Sequence, residues 1–186
     1  MEFYKKIYFK LRPLILPIDK ILEYIPPRAN ILDIGCGKGL LTKHIKNFEY
    51  YTGVDLAANP REAGNNIKFV KDDCLTYLNN DLSNYNTFLV IDLIHHIPVK
   101  QQLIFLKTLI NSLKSGDILI IKDINPRNLI LKFWNSFHDL VMSRQIIRYL
   151  DFNKFKKNIE DKIKILDHFH SRILLYDHYF LVLKKS

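Results

Sequence analysis

The run Ile31-Leu-Asp-Ile-Gly-Cys-Gly-Lys-Gly-Leu40 constrains this chain more than any other stretch. A short apolar segment, of the kind that makes a buried strand, passes through three glycines into an apolar-periodic stretch, Leu40 to Ile45, that reads as a helix. Without a Cβ, Gly35, Gly37 and Gly39 can take left-handed backbone angles and let a ligand approach the main chain. The predicted helix would aim free N–H groups back at the loop. Asp33, at the strand end, sets a carboxylate beside those donors and would repel a purely anionic ligand.

The spacing is G-x-G-x-G, whereas a dinucleotide fingerprint is G-x-G-x-x-G and cradles a pyrophosphate. With an acid two positions ahead, the loop suits a ligand with a cationic, amino-acid-like end and no pyrophosphate. The string Leu32-Asp-Ile-Gly-Cys-Gly-Lys-Gly39 closely resembles the first motif of class I S-adenosylmethionine-dependent methyltransferases. In that family the loop holds the methionine part of the cofactor. The resemblance implies S-adenosylmethionine as cofactor, with Asp33, Gly35, Cys36, Gly37 and Gly39 around it. The plainer alternative is a tight strand-to-helix turn with no ligand.

At 186 residues the chain fits one domain, with residues 1–25 as an N-terminal helical lid and 26–186 as a Rossmann-like core. It has no uncharged apolar run of about 18 residues, the length a membrane-spanning helix needs. Its start, Met1-Glu-Phe-Tyr-Lys-Lys, lacks the features of a signal peptide. Cys36 and Cys74 are the only cysteines and fit no metal-ligand spacing, so both read as reduced thiols in a cytoplasmic protein. The net charge of +9 is carried by lysines scattered among Ile, Asn and Phe. That pattern reads first as a solvated face, and then as attraction to anionic membrane, nucleic acid or acidic substrates.

Phe3, Tyr4, Ile7, Tyr8 and Leu11 recur at helical spacing with lysines between them, and a second helix is expected over Ile18 to Ile25 before Pro26-Pro27. This segment reads as a lid over the sheet edge or cleft, or as a peripheral contact with an anionic membrane. Tyr50 to Leu56 reads as a second strand ending at Asp55, some 20 residues after the loop, where an acid can take ribose hydroxyls. The resemblance gives Asp55 that role and puts Leu56 near the adenine face. Ala57 to Asn66 is too short and too rich in Pro, Gly and Asn for a full crossover helix, which is expected to shrink to one turn.

Ile67 to Cys74 reads as a third strand. By resemblance Asp73 would accept from the adenine amine and the Cys74 N–H would reach a ring nitrogen, with Asp72 competing for the first role. Thr87 to Ile91 is an unbroken apolar run expected of a central parallel strand, followed by Asp92-Leu-Ile-His-His96 at the edge where α/β folds bind ligands. Many small-molecule methyltransferases have a similar Asp-x-x-His-His segment beside the transferring methyl group, which adds Asp92 to the cofactor residues. The Asn/Asp-Pro-Pro-aromatic signature of amino-group methyltransferases is missing, which counts against nucleic-acid base methylation.

Val99 to Leu113 reads as an amphipathic helix with Leu103, Leu106, Leu109, Ile110 and Leu113 on one face, stopped by Lys114-Ser-Gly-Asp117. Ile118 to Ile121 is the next strand, with Lys122 and Asp123 beyond it. A helix from Pro126 to about Leu150 carries an apolar stripe including Phe133 and Trp134, with His138, Asp139, Arg144 and Arg148 as polar substrate contacts. Asp151 to Glu160 reads as a loop or short helix. Ile163 to His170 and Tyr176 to Leu183 read as a closing pair of strands. His168, His170, Arg172 and His178 cluster there without metal-ligand spacing, and no metal is expected.

The expected fold is α/β, a doubly wound, mostly parallel seven-stranded sheet with helices on both faces and an antiparallel last strand. The expected reaction is methyl transfer from S-adenosylmethionine to a small-molecule, hydrophobic or lipid-like acceptor. Alternatives are an RNA methyltransferase and a non-catalytic binding module for the cofactor. A hydroxyl acceptor would need a base, for which His96, His95 and Asp123 are the candidates in that order. The acceptor and the oligomeric state are not legible.

Overall fold

The computed structural model describes residues 18–58, 61–62, 64–124, 133, 136, 155, 162–173 and 176–186. Its sheet is built from β1 (Asn30–Ile34), β2 (Tyr50–Val54), β3 (Arg61–Glu62), β4 (Ile67–Val70), β5 (Thr87–Ile91), β6 (Ile118–Ile124), β7 (Ile163–Ile173) and β8 (Tyr176–Lys185). The spatial order is β3-β4-β2-β1-β5-β6-β8-β7. Strands β4, β2, β1, β5 and β6 run parallel, while β8 runs antiparallel between β6 and β7. The expected seven strands and antiparallel last strand are therefore present. Two-residue β3 is an addition, paired antiparallel to β4.

The chain reverses between β2 and β1 toward one edge and between β1 and β5 toward the other. This opens the carboxyl edge of the parallel strands into a crevice, where such sheets bind ligands. All five residues of β5 are buried, because a central parallel strand is covered on both faces. One face packs Leu32, Ile34, Phe88, Val90, Leu119 and Ile121 against Phe105, Leu106, Leu109 and Ile110 of α3 (Val99–Ser112). The other packs Ile31, Tyr51, Leu89 and Ile120 against Ile18 and Ile21 of α1 (Ile18–Leu22) and against Leu41 and Ile45. The short α2 (Cys74–Tyr77) follows β4.

Several expectations change. The helix predicted after the glycine loop is a single 3-10 turn, Leu40–Lys43. There the Thr42 hydroxyl donates to the Gly39 carbonyl at 2.7 Å and Asn47 turns left-handed at φ 60°. The chain must drop back at once to pair with β2, Glu49 N–H reaching the Ala29 carbonyl at 2.9 Å. No helical turn is described within 57–66; the strand β3 stands there instead. The second helix of residues 18–25 ends at Leu22. β2 stops at Val54 and β4 at Val70, so Asp55, Asp72 and Asp73 belong to loops. β6 runs on through Lys122 and Asp123, which pair with Phe180 and Tyr179 of β8.

In α3, Leu103 is only partly buried, while Gln102 and Phe105 join the buried face. Gly116 is left-handed as expected, at φ 93°. Phe155 is helical and fully buried, whereas Phe133, of the expected apolar stripe, is helical and 77 % exposed. Residues 1–17 and, apart from Phe133, Ser136 and Phe155, residues 125–161 lie outside the described set. With them go the expectations for the Phe3–Leu11 helix and for Trp134, His138, Asp139, Arg144 and Arg148.

Candidate active site at the carboxyl edge

The glycine loop is fastened to the end of β2. Gly35 and Cys36 donate to the Val54 carbonyl at 2.8 and 3.2 Å, and Gly39 donates to the Cys36 carbonyl at 2.9 Å. Gly37 donates to Asp55 Oδ2 at 2.8 Å. With these amides directed at protein acceptors, the loop is not a pyrophosphate cradle of the kind dinucleotides require. A Cβ on Gly35 would lie 2.9 Å from Leu93, and one on Gly39 would lie 2.3 Å from the Phe69 ring. Gly37 differs. Its φ of 56° favours glycine, and a Cβ there would meet nothing within 4 Å, so the loop opens onto free space at this point.

Asp33 is buried on the α1 face, where the Tyr51 hydroxyl donates to its Oδ2 at 2.5 Å. Burial above all, and then the Asp33 carboxylate, pushes the Tyr51 phenol well above its usual range. Asp55 holds the loop with one oxygen and accepts the Ala57 N–H with the other, at 2.7 Å. An ionised carboxylate has about four acceptor positions, so both oxygens can still receive hydroxyls. Leu56 beside it is 65 % exposed, an apolar surface at the crevice.

Asp73 caps α2, its Oδ1 accepting from the Leu75 and Thr76 amides at 3.0 and 3.1 Å. Among the described residues nothing donates to its Oδ2. Asp72 accepts the Asp73 N–H with its own Oδ1 at 2.8 Å, so each of the two acids has one oxygen engaged by backbone. Cys74 is half-buried, and its thiol is pushed up to about 11 by burial first and by the carboxylates of Asp73 and Asp55 after it. The sequence-predicted Gly37, Asp55, Asp73 and Cys74 are thus gathered at adjoining strand ends.

A second group gathers at β5 and β6. Asp92 has the left-handed φ of 53° and pairs with Lys122, Nζ to Oδ1 2.5 Å. Asp123 receives hydrogen bonds from the His95 and Ile124 amides at 3.2 and 2.7 Å and pairs with His95 Nδ1. The His95 and His96 rings lie 4.0 Å apart, centroid to centroid, His95 buried and His96 half-buried. They sit on a 3-10 turn, Ile94–His96, fastened by Gln102 of α3, whose Nε2 donates to the carbonyls of Ile94 and Ile97 at 3.0 Å each. Tyr179 on β8 is opposite Asp123. Burial, followed by the carboxylates of Asp123 and Asp92, drives its phenol well up.

Sequence reasoning overlooked Tyr51, Gln102 and Tyr179 and left Lys122 without a role. A lone polar residue on the apolar face of α3 was a signal for Gln102, and a lysine ending an apolar strand was one for Lys122. The two tyrosines required knowledge of which strands lie side by side. Among the described residues no cluster of three or more His, Cys, Asp or Glu side chains could hold a metal ion, and no helix is long and apolar enough to cross a membrane.

Solved structures share this architecture. A SAM-dependent methyltransferase from Archaeoglobus fulgidus aligns with a TM-score of 0.69 at 18 % identity, over 98 % of this chain and 99 % of that one. The 1,6-didemethyltoxoflavin-N1-methyltransferase of Burkholderia thailandensis aligns at 0.69 and 15 % identity, over 100 % and 86 %. Magnesium protoporphyrin IX methyltransferase of Synechocystis PCC 6803 aligns at 0.66 and 17 % identity, over 91 % and 82 %. No curated protein matches the sequence. A family model described as a methyltransferase domain matches residues 7–161. The chain belongs to this methyltransferase-domain family.

Proposed function

We propose that this protein transfers a methyl group from S-adenosylmethionine to a small, hydrophobic or lipid-like acceptor. The observation that carries the reading is the glycine loop tied to Asp55 through the Gly37 amide, with open space above Gly37. The residues present fit the cofactor. Asp55 would take the ribose hydroxyls, Leu56 the adenine face, and Asp73 Oδ2 with the Cys74 amide the adenine edge. Asp33 would supply negative charge toward the cationic end, and Asp92, paired with Lys122, stands at the same edge. When bound, the cofactor supplies an electrophilic sulfonium methyl, so the protein mainly aligns donor and acceptor.

For a hydroxyl acceptor we assign the base to His96. Asp123 is committed to the His95 ring and two amides, and His95 is buried, so these two position the turn that presents His96. A small acceptor agrees with the neighbours whose names specify one, a porphyrin and a didemethyltoxoflavin.

The test is incubation of the purified protein with methyl-labelled S-adenosylmethionine and fractionated cell extract. Label should enter a solvent-extractable fraction, and His96→Ala should lower that transfer roughly 10²–10⁴-fold while leaving cofactor affinity unchanged. Label in nucleic acid would replace the reading with RNA methylation. Binding of the cofactor with no transfer to any fraction would leave a non-catalytic module.

A further inference from the structure

Among the described residues Lys122 is the only buried lysine or arginine, 1 % exposed where the sheet meets the proposed cofactor site. A buried ammonium is costly unless paired, and here Asp92 is a partner, held twice by Lys122. The Lys122 Nζ lies 2.5 Å from Asp92 Oδ1, and the Lys122 carbonyl accepts the Asp92 N–H at 2.8 Å. The clamp fixes Asp92 in a left-handed conformation. Its successor Leu93 is the side chain packed so closely beneath Gly35 that a Cβ there would lie 2.9 Å away. Lys122 therefore reaches the glycine loop through two intervening residues, Asp92 and Leu93.

Charge gives the clamp a second consequence. Asp33, Asp55, Asp73, Asp92 and Asp123 concentrate carboxylates along the carboxyl edge. S-adenosylmethionine carries one net positive charge, and S-adenosylhomocysteine, its product, carries none. An uncompensated acid at this edge favours the cofactor over the product, and a paired one does so much less. We propose that Lys122 is a positioning residue that, by holding and neutralising Asp92, sets the relative affinity for the sulfonium cofactor and its uncharged product. The inference rests on the methyltransferase reading of the site.

Titration calorimetry on the full chain at pH 7, with each ligand separately, tests it. Lys122→Met removes one buried positive charge from beside Asp92, which is partly open at the edge. It should shift the affinity ratio roughly three- to tenfold toward S-adenosylmethionine. Lys122→Arg should keep the wild-type ratio, and the double variant Lys122→Met/Asp92→Asn, with both charges gone, should return to it. Asp92→Asn alone retains a residue tolerant of left-handed angles and should shift the ratio toward S-adenosylhomocysteine. It carries the test if Lys122→Met does not fold. An unchanged ratio, equal weakening of both ligands, or failure of both single variants to fold would overturn the proposal. A wild-type protein that binds neither ligand would instead overturn the methyltransferase reading.

Discussion

Tyr51 and Tyr179 stand on opposite faces of the sheet, each buried and each beside a carboxylate. Their phenols are pushed well above the ordinary value, by burial first and then by Asp33 for Tyr51 and by Asp123 and Asp92 for Tyr179. In the unfolded chain both would ionise near pH 10, which the fold prevents. Folded values raised above unfolded ones mean that the stability they contribute is fully present below about pH 10 and is lost as the pH climbs beyond it. Stability should therefore fall between pH 10 and 11, and Tyr51→Phe should flatten that fall by about 1 kcal/mol per pH unit, somewhat less than one proton's worth. Denaturant melts at stepped pH provide the check, and an unaltered slope would mean that Tyr51 ionises inside the fold. The tyrosines also show what a linear sequence withholds. Asp33 was legible from its place before the glycines, but its partner became visible only once β2 lay beside β1.

The glycine loop and the strands around it form a second level. Gly37 is required by its backbone angle alone, Gly39 by its angle and by the ring of Phe69. Gly39→Ala should therefore lose about 1–2 kcal/mol to the left-handed conformation and a further 1–3 to overpacking, whereas Gly37→Ala should lose only the first amount. Affinity for S-adenosylhomocysteine should fall more steeply in the folded Gly37→Ala protein, because the new methyl enters the open space. Thermal melts with and without the ligand measure both effects, and equal destabilisation by the two variants would contradict the packing argument. At this level strands were legible and helices less so. β5 matches its expected limits because a run buried on both faces announces itself by unbroken apolarity. The periodicity of Leu40, Leu41 and Ile45 promised a helix as well. A 3-10 turn followed by a left-handed Asn47 buries Leu41 and Ile45 without one. Lys122 and Asp123 were placed beyond their strand because charge was taken as its end. Pairing with β8 continues the ladder through both.

At the scale of the molecule, charge is divided. The chain carries a net +9, yet its carboxyl edge collects aspartates. We propose that the basic surface meets anionic lipid, which suits a lipid-like acceptor. Binding to anionic vesicles should exceed binding to neutral ones at low salt and decline as salt rises past the range where the Debye length is about 10 Å. Equal, negligible sedimentation with both would remove the membrane from the account. The order of strands has another consequence, for how the protein is made. β8 follows β7 in the sequence, but it lies between β6 and β7. While a ribosome is still adding the residues before Tyr176, β6 is a bare apolar edge, and β7 has no neighbour to pair with. The nascent chain must hold that edge unpaired until β8 emerges, a stage at which exposed strands invite association. A chain cut short before Tyr176 would never leave that stage. Losing that one strand would then cost the sheet two, because β7 joins it only through β8.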